Sequence, residues 1–284
     1  MSPVDPEEQR AASRGMWEQA AAGWGKRADR VRDWAMPVSV TMVDALALQP
    51  GQRVLELAAG PGDTGFMAAE LIQPGGTLIS SDGAEAMVAL ARERAEAAGI
   101  TNVEFRALEL EWIDLEAASV DAILCRWGIM LIVDPEAAAR EIRRVLRPSG
   151  RAAFAVWDRA QSNPWATIPG RAMVELGHSE PPDPSAPGMF SLGEDGALQG
   201  LLESSGFTEV TVRPVALERR YDQLERYIEE TVDMSPMFSA AFQELPGDAQ
   251  QAVVARITAD AQPFVAADGS VALPGSSLVA VATA

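Results

Sequence analysis

Short apolar runs alternate along the chain with longer segments in which apolar residues recur every three or four positions. The runs lie at 53–58, 77–81, 103–107, 120–125 and 151–157, and segments with helical spacing lie at 66–72, 84–98 and 135–146. Strands that alternate with helices at this rhythm are typical of a doubly wound, mostly parallel sheet. The pattern therefore predicts an α/β fold for the middle of the chain.

The regions on either side of this core follow other patterns. Residues 7–48 read as helices that are broken near Gly23, Gly25 and Pro37, and 158–190 reads as a long loop, rich in Pro, Gly and Ser, with a short helix inside. A helix at 194–205 and a strand at 208–217 follow. After them come helical segments, two or three in number, and a final strand or strand pair interrupted at Pro274. We predict a helical cover over 1–50, a sheet domain formed by 51–217 and 270–284 with seven strands, and a helical cap over 218–269.

Composition and charge narrow the class of partner. The chain has 284 residues, of which 48% are apolar, and a formal net charge of −18. Such an acidic surface repels phosphate backbones and anionic membranes, so we expect neither a nucleic-acid partner nor membrane insertion. The first residues lack the apolar core of a signal peptide, and no apolar run approaches the length of a membrane span. A cytoplasmic protein is expected.

Three residue types that occur once each exclude several kinds of site. The single cysteine, Cys125, excludes an internal disulfide and any site built from several thiolates, and the single histidine, His178, excludes a histidine-rich metal site. We therefore predict no bound metal. The single lysine, Lys26, leaves none for a buried Schiff base or a phosphate-binding loop.

A glycine-rich turn follows the first predicted strand. The segment Gly60-Pro-Gly62-Asp-Thr-Gly65 matches G-x-G-x-x-G, and Asp82 lies twenty residues past Gly62, a pattern also found in dinucleotide-binding proteins. However, Asp63 stands where a pyrophosphate would dock at the helix N-terminus. We expect Glu56, at the end of the strand, to point toward the mouth of the same site. Two carboxylates favour a cationic ligand without phosphates, although an NAD(P)-dependent reductase remains an alternative.

Five segments at the ends of the predicted strands share a resemblance. Val54–Gly65 (VLELAAGPGDTG) resembles the first motif of the class I S-adenosylmethionine-dependent methyltransferases. The other four resemble later motifs of that family: 81–87 (SDGAEAM), 109–111 (ELE), 125–130 (CRWGIM) and 144–151 (RVLRPSGR). The likeness covers about residues 20–157 and is nearest to the ubiquinone/menaquinone-biosynthesis methyltransferases. It departs at Glu109, where the family usually carries Asp.

The resemblance implies that the cofactor is S-adenosylmethionine. In this family the acid after the second strand binds the ribose, an apolar residue after it covers the adenine, and the N-terminal helices cover the cofactor. Carried over to this chain, the implied cofactor-binding residues are Trp24, Glu56, Ala58, Gly60, Gly62, Asp63, Thr64, Asp82, Gly83, Met87, Glu109, Leu110, Glu111, Cys125 and Arg126.

The sequence says less about the methyl acceptor than about the cofactor. An apolar wall past the strand ends predicts an apolar or aromatic small molecule, with candidate contacts at Trp127, Met130, Trp157, Met189, Phe190, Tyr227, Met234 and Phe238. Most of these are equally typical of a helical core. If the reaction needs a general base, His178 is the candidate. O-, C- or N-methylation, a homodimer, and a cofactor-binding protein of this fold without methyl transfer, pericyclic-type or regulatory, all remain open.

Overall fold

One sheet organises the molecule. The computed structural model describes residues 5–181 and 187–284, and within them seven strands pair in the order β3-β2-β1-β4-β5-β7-β6. Strand β7 runs antiparallel to the other six strands. This confirms the predicted α/β class and the mostly parallel sheet. The strands are β1 Arg53–Leu57, β2 Thr77–Asp82, β3 Val103–Ala107, β4 Val120–Arg126, β5 Leu146–Trp157, β6 Thr208–Tyr221 and β7 Val271–Thr283.

Helices cover the sheet and connect its strands. They are α1 Pro6–Leu46, α2 Asp63–Leu71, α3 Glu85–Ala98, α4 Pro135–Val145, α5 Pro164–Glu175, α6 Ala197–Ser204, α7 Leu224–Met234, α8 Pro236–Gln243 and α9 Gly247–Ala261. The last three lie between β6 and β7, where the sequence predicted a helical insertion. In the described residues, none of these helices combines the length and the apolar character that crossing a bilayer requires.

The core lies where the central strands meet their flanking helices. Val54, Leu55 and Leu57 of β1 are fully buried, as are Ile123 of β4 and Phe154 of β5. Strands that are covered on both faces explain the nearly continuous apolar runs in the sequence. The carboxyl ends of β1, β2 and β4 consequently meet at one edge of a rigid sheet.

The first helix is continuous, so the predicted breaks at Gly23, Gly25 and Pro37 are wrong. Pro37 removes one backbone hydrogen bond, to the carbonyl of Asp33, but both residues are exposed and water can serve that carbonyl. Gly23 has a packing role, because a Cβ there would lie 1.9 Å from the carbonyl oxygen of Asp233. Tertiary packing therefore outweighs the local helix-breaking tendency.

Three further elements differ from the sequence prediction. Helix α5 occupies twelve residues of the segment expected to be mainly loop. Strand β5 begins at Leu146, five residues early, with a register shift before Arg151, and β7 continues through Pro274 without interruption. Residues 182–186 of the proline-rich segment lie outside the described residues.

Candidate functional site

A cavity opens at the carboxyl edge of the sheet, where ligands bind in open α/β folds. The space inside its lining, including the part that is open to solvent, is about 960 Å³. Strand ends and the turns after them form its floor, and the first turns of α1 form its roof. The lining residues are Arg10, Ser13, Arg14, Trp17, Trp24, 58–61, 82–84, Met87, 109–111, 126–128 and 131–133.

Asp82 joins two of the turns that form the cavity floor. One carboxylate oxygen accepts a hydrogen bond from the backbone N–H of Gly60 at 2.9 Å, and the other accepts one from Ala84 at 3.0 Å. Burial raises the pKa of this carboxyl above its usual value. Gly60 itself has a φ of 53°, a left-handed conformation that glycine adopts at little cost. The carboxylate thus fixes the glycine turn and still faces the cavity.

Glu56 does not face the cavity, so the expectation that it points to the mouth is corrected. It is buried beneath the loop, where its carboxyl accepts hydrogen bonds from the Gly65 N–H at 2.7 Å and the Ser80 hydroxyl at 3.1 Å. Glycine is required at position 65, because a Cβ would lie 2.1 Å from the Glu56 carboxylate. Burial raises the pKa of Glu56 to about 8. Its role in this structure is to anchor helix α2.

Four other predicted cofactor residues also lie behind the lining. Asp63 is paired with Arg94 at 2.7 Å, and the hydroxyl of Thr64 lies 2.9 Å from that of Ser39. Cys125 is fully buried, and burial raises the pKa of its thiol to about 12, so it is not a nucleophile at neutral pH. Together with Gly62, these residues set the course of the backbone around the cavity. Their predicted direct contacts with the ligand are not supported by the geometry.

The predicted adenine side of the cavity carries the expected residues. Gly83, Met87, Glu109, Leu110 and Glu111 all line it. Met87 and Leu110 are buried apolar side chains, whereas Glu109 is half exposed at the rim. The turns after β2 and β3 therefore bring together an apolar surface and several carboxylates.

Ion pairs join the first turns of α1 to this rim. The guanidinium of Arg10 holds Glu111 through two hydrogen bonds, at 3.0 and 2.9 Å, and Arg14 pairs with Glu109. Glu18 accepts hydrogen bonds from the backbone N–H groups of Glu85 and Ala86, at the start of α3. The beginning of α1 is thus fastened across the cavity by charged groups.

Sequence reasoning identified Trp24 as part of this roof and missed Arg10, Ser13 and Arg14. Arg10, Ser13, Arg14 and Trp17 also line the cavity. They recur at positions i, i+3, i+4 and i+7, the spacing of one helix face, so this stripe was the available signal. Trp24 packs edge to face against Trp17, and its indole N–H donates to the carbonyl of Met234 at 3.2 Å.

The opposite end of the cavity is formed by the turn after β4. Arg126 lines the cavity, and its buried Nη1 has no hydrogen-bond partner among the described residues. Its guanidinium carbon lies 4.5 Å from the ring centre of Trp127. Trp127 has a φ of 59°, which is strained for a bulky residue and is typical of functional sites.

Most of the predicted acceptor-binding residues do not line this cavity. Trp127 does, whereas Trp157 stacks behind it with ring centres 4.2 Å apart. The remaining six lie away from the cavity lining as well. Met130, Tyr227, Met234 and Phe238 are buried in the core, Phe190 packs against its edge, and Met189 is exposed. For these four buried residues, the alternative that the sequence left open, packing in a helical core, is the one that the structure shows.

The structure also corrects the expectation for His178. This residue follows the C-terminal end of α5, and its backbone N–H donates to the carbonyl of Met173. Helix α5 has twelve residues and is therefore about 18 Å long, and His178 does not line the cavity. In residues 5–181 and 187–284, no cluster of three or more His, Cys, Asp or Glu side chains could hold a metal ion.

The chain is similar to known methyltransferases in sequence. Residues 48–178 match a family model described as a methyltransferase domain. Nocamycin O-methyltransferase from Saccharothrix syringae is 27% identical over 68% of this chain and 72% of its own length. The ubiquinone/menaquinone biosynthesis C-methyltransferase UbiE from Cronobacter sakazakii is 32% identical over 38% of this chain and 44% of its own. The chain covers 34% to 44% of the length of three further curated relatives, so it spans less than half of most of these proteins.

The fold agrees with this relationship. The crystal structure of the YcgJ protein from Bacillus subtilis superposes with a TM-score of 0.55 and 17% identity, covering 85% of this chain and 95% of that one. The match over residues 48–178, together with the UbiE relatives, supports the class I, S-adenosylmethionine-dependent methyltransferases, as the strand-end motifs predicted.

The cavity fits the cofactor of that class. Asp82 presents a partly buried carboxylate at the end of β2, and the buried side chains of Met87 and Leu110 present apolar surface beside it. Arg126 offers an unpartnered buried donor at the far end. A nucleoside with a charged amino-acid tail needs these three kinds of contact.

Proposed function

We propose that this protein transfers a methyl group from S-adenosylmethionine to an apolar or aromatic small molecule. The observation that carries the proposal is the position of Asp82, which faces the cavity while its carboxylate holds the Gly60 and Ala84 N–H groups. A ribose diol beside this carboxylate would form charge-assisted hydrogen bonds. The substrate that can enter the cavity beside Trp127 determines whether an oxygen, a carbon or a nitrogen atom is methylated.

The chain's own residues would act mainly by positioning. The bound cofactor supplies an electrophilic methyl group on a sulfonium, and in-line displacement needs alignment and a dry site more than it needs acid–base groups. Met87, Leu110 and Trp127 offer apolar surface, and Trp17 and Trp24 help to close the cavity from above. The described lining contains no histidine, lysine or tyrosine, which fits an acceptor that needs no strong base.

The experiment is calorimetric titration of S-adenosylhomocysteine into the wild-type protein and the Asp82→Asn variant. Wild type should bind in the micromolar range. The variant should bind roughly 10- to 100-fold more weakly, because a neutral amide replaces the charged acceptor. Asp248→Asn, an exposed acid in the first turn of α9, is the matched control and should bind like wild type. Failure of wild type to bind at millimolar ligand would end the proposal.

Binding without transfer is the second candidate, because a fold of this class can hold the cofactor and perform no methylation. Incubation with isotopically labelled S-adenosylmethionine and a panel of aromatic hydroxy acids and amines separates the two. A labelled product supports the methyltransferase. Tight binding with no labelled product across the panel favours the cofactor-binding alternative.

A further inference from the structure

The arginines of the cavity lining differ in whether a carboxylate holds them. Arg10 pairs with Glu111, and Arg14 pairs with Glu109. Arg126, the last residue of β4, has no ion-pair partner in the part of the chain that the structure describes, and its buried Nη1 donates no hydrogen bond there. At the end of β4, the cavity wall therefore carries a guanidinium group whose charge is not paired within those residues.

Two acids behind the cavity lining attract Arg126 without pairing with it. Asp63 is bound to Arg94 at 2.7 Å. Burial raises the pKa of Glu56 to about 8, so this carboxyl is largely protonated at neutral pH. Neither acid therefore takes the place of a contacting anion for Arg126.

Trp127 contacts the face of the Arg126 guanidinium but does not satisfy its donors. The guanidinium carbon lies 4.5 Å from the ring centre of Trp127. A ring face attracts a cation, whereas the N–H groups of arginine lie in the guanidinium plane and need acceptor oxygens. A buried donor without an acceptor is costly, and a charged one is more so. An arginine in this state at a cavity wall indicates a position for an anionic oxygen.

The register of the sheet places Arg126 opposite Asp82. Glu56 of β1 pairs with Ser80 of β2 and with Leu124 of β4. Asp82 and Arg126 each lie two residues further along their strands, so they are at the same level and on the same face of the sheet. Because β1 lies between them, they are two strand spacings apart, about 10 Å.

The cavity thus has an acceptor at one end and a donor at the other. Asp82 offers carboxylate oxygens, which a ribose diol requires, and Arg126 offers N–H groups, which a carboxylate requires. S-adenosylmethionine carries these two groups at opposite ends of one chain, with the sulfur between the ribose and the amino acid. This chain is long enough to cross the strand that separates the two residues.

We propose that Arg126 binds the carboxylate of the cofactor's amino-acid tail and is a specificity-determining residue of the proposed methyltransferase. The planar guanidinium can hold a carboxylate through two parallel hydrogen bonds. With the ribose fixed by Asp82 and the tail fixed by Arg126, the sulfur between them is oriented from both sides. The inference rests on the proposed function for the identity of the cofactor, but recognition of the tail is a separate property with its own test.

The test compares S-adenosylhomocysteine with methylthioadenosine, which keeps the nucleoside and the sulfur but lacks the amino-acid tail. Both are titrated by calorimetry into wild type and into Arg126→Met, which keeps an apolar side chain and removes the charge and the donors. The variant should bind S-adenosylhomocysteine roughly 10- to 100-fold more weakly. Its affinity for methylthioadenosine should equal that of wild type, because this compound has no carboxylate.

Two further variants serve as references. Asp82→Asn changes the group that faces the ribose, which both compounds share, and should weaken the binding of both by the same factor. Arg140→Met replaces an exposed arginine on α4, away from the cavity lining, and should bind both compounds like wild type.

The difference between the two compounds decides the outcome. Equal weakening of both in Arg126→Met would assign the residue to support of the turn at Trp127 and would overturn the inference, as would unchanged binding of both. If Arg126→Met does not fold, Arg126→Lys decides by the same criteria. It keeps the charge without the planar fork and should lose several-fold in affinity for S-adenosylhomocysteine alone. Failure of wild type to bind S-adenosylhomocysteine would instead overturn the proposed function.

Discussion

The two carboxyl groups at the ends of β1 and β2 have different roles although the sequence makes them look alike. Asp82 faces the cavity, whereas Glu56 is turned under the glycine loop by the N–H of Gly65 and the hydroxyl of Ser80. With a pKa raised to about 8, Glu56 is largely protonated at neutral pH. The negative charge available to a cationic ligand therefore comes from Asp82 and the rim glutamates.

The raised pKa of Glu56 predicts how stability depends on pH. Because the folded protein binds this proton more tightly than the unfolded chain, the contribution of Glu56 is complete below about pH 4.5 and is lost as the pH rises through about 8. Glu56→Gln removes this loss. We expect the free energy of unfolding of wild type to fall relative to the variant over that window, by the order of a few kcal/mol, since one pKa unit is about 1.4 kcal/mol.

Urea unfolding at a series of pH values from 5 to 9 checks this expectation. Glu96→Gln, an exposed residue on α3, serves as the control and should follow the wild-type curve. A difference between wild type and Glu56→Gln that stays constant across the series would contradict a raised pKa.

Position in the sequence is enough to place some of the predicted site residues at the cavity. Residues in the turns after β2 and β3, such as Asp82, Met87 and Leu110, face the cavity because the strand end places them there. Position is not enough for Glu56, Asp63 and Thr64, since the direction of these side chains depends on Ser80, Arg94 and Ser39, which are distant in sequence.

Among the elements, α1 has the largest effect on the site. Its middle and end are held by buried apolar residues such as Val31, Val38 and Met42, whereas its first turns are held mainly by ion pairs at the cavity rim. Partly exposed ion pairs stabilise weakly and are screened by salt. The first turns of α1 are therefore the part of the roof that opens at least cost.

The double change Arg10→Ala and Arg14→Ala should loosen this part of the roof. We expect amide hydrogen exchange in residues 6–18 to become a few-fold faster, because the two contacts with Glu111 and Glu109 are lost. Exchange in residues 30–46 should not change. Arg32→Ala, which removes ion pairs that are confined to α1 and its solvent face, is the control. Equal exchange of 6–18 in all three proteins would show that the ion pairs do not hold the roof.

The continuity of α1 also shows the limit of local sequence signals. Glycine and proline usually interrupt helices, but here Gly23 admits the carbonyl of Asp233 and Pro37 lies on the exposed face. Similarly, the proline-rich segment before residue 182 contains α5, which begins at Pro164, a favourable first position for a helix. Packing partners that a single sequence does not display decide these boundaries.

At the scale of the whole molecule, the sheet order places the cavity beside a cluster of buried aromatic side chains. The turns after β1, β2, β3 and β4 form the cavity, and Trp157 at the end of β5 stacks behind Trp127 of its wall. The strand–helix rhythm predicted the sheet edge, and the sequence named Trp127 and Trp157 as candidate acceptor contacts. The position of Arg219 against Trp34 and Trp165 depends on the pairing of β6 with β7 and on contacts between α1 and β6, so it was not predictable from the pattern.

The central claim is that the cavity between Asp82 and Arg126 holds the nucleoside of S-adenosylmethionine. A crystal structure with bound S-adenosylhomocysteine tests it most directly. The account predicts ribose hydroxyls within hydrogen-bond distance of the Asp82 carboxylate, the adenine against Met87 and Leu110, and the sulfur near Gly60 and Arg126. Density for the nucleoside at any other place, with this cavity empty, would contradict it.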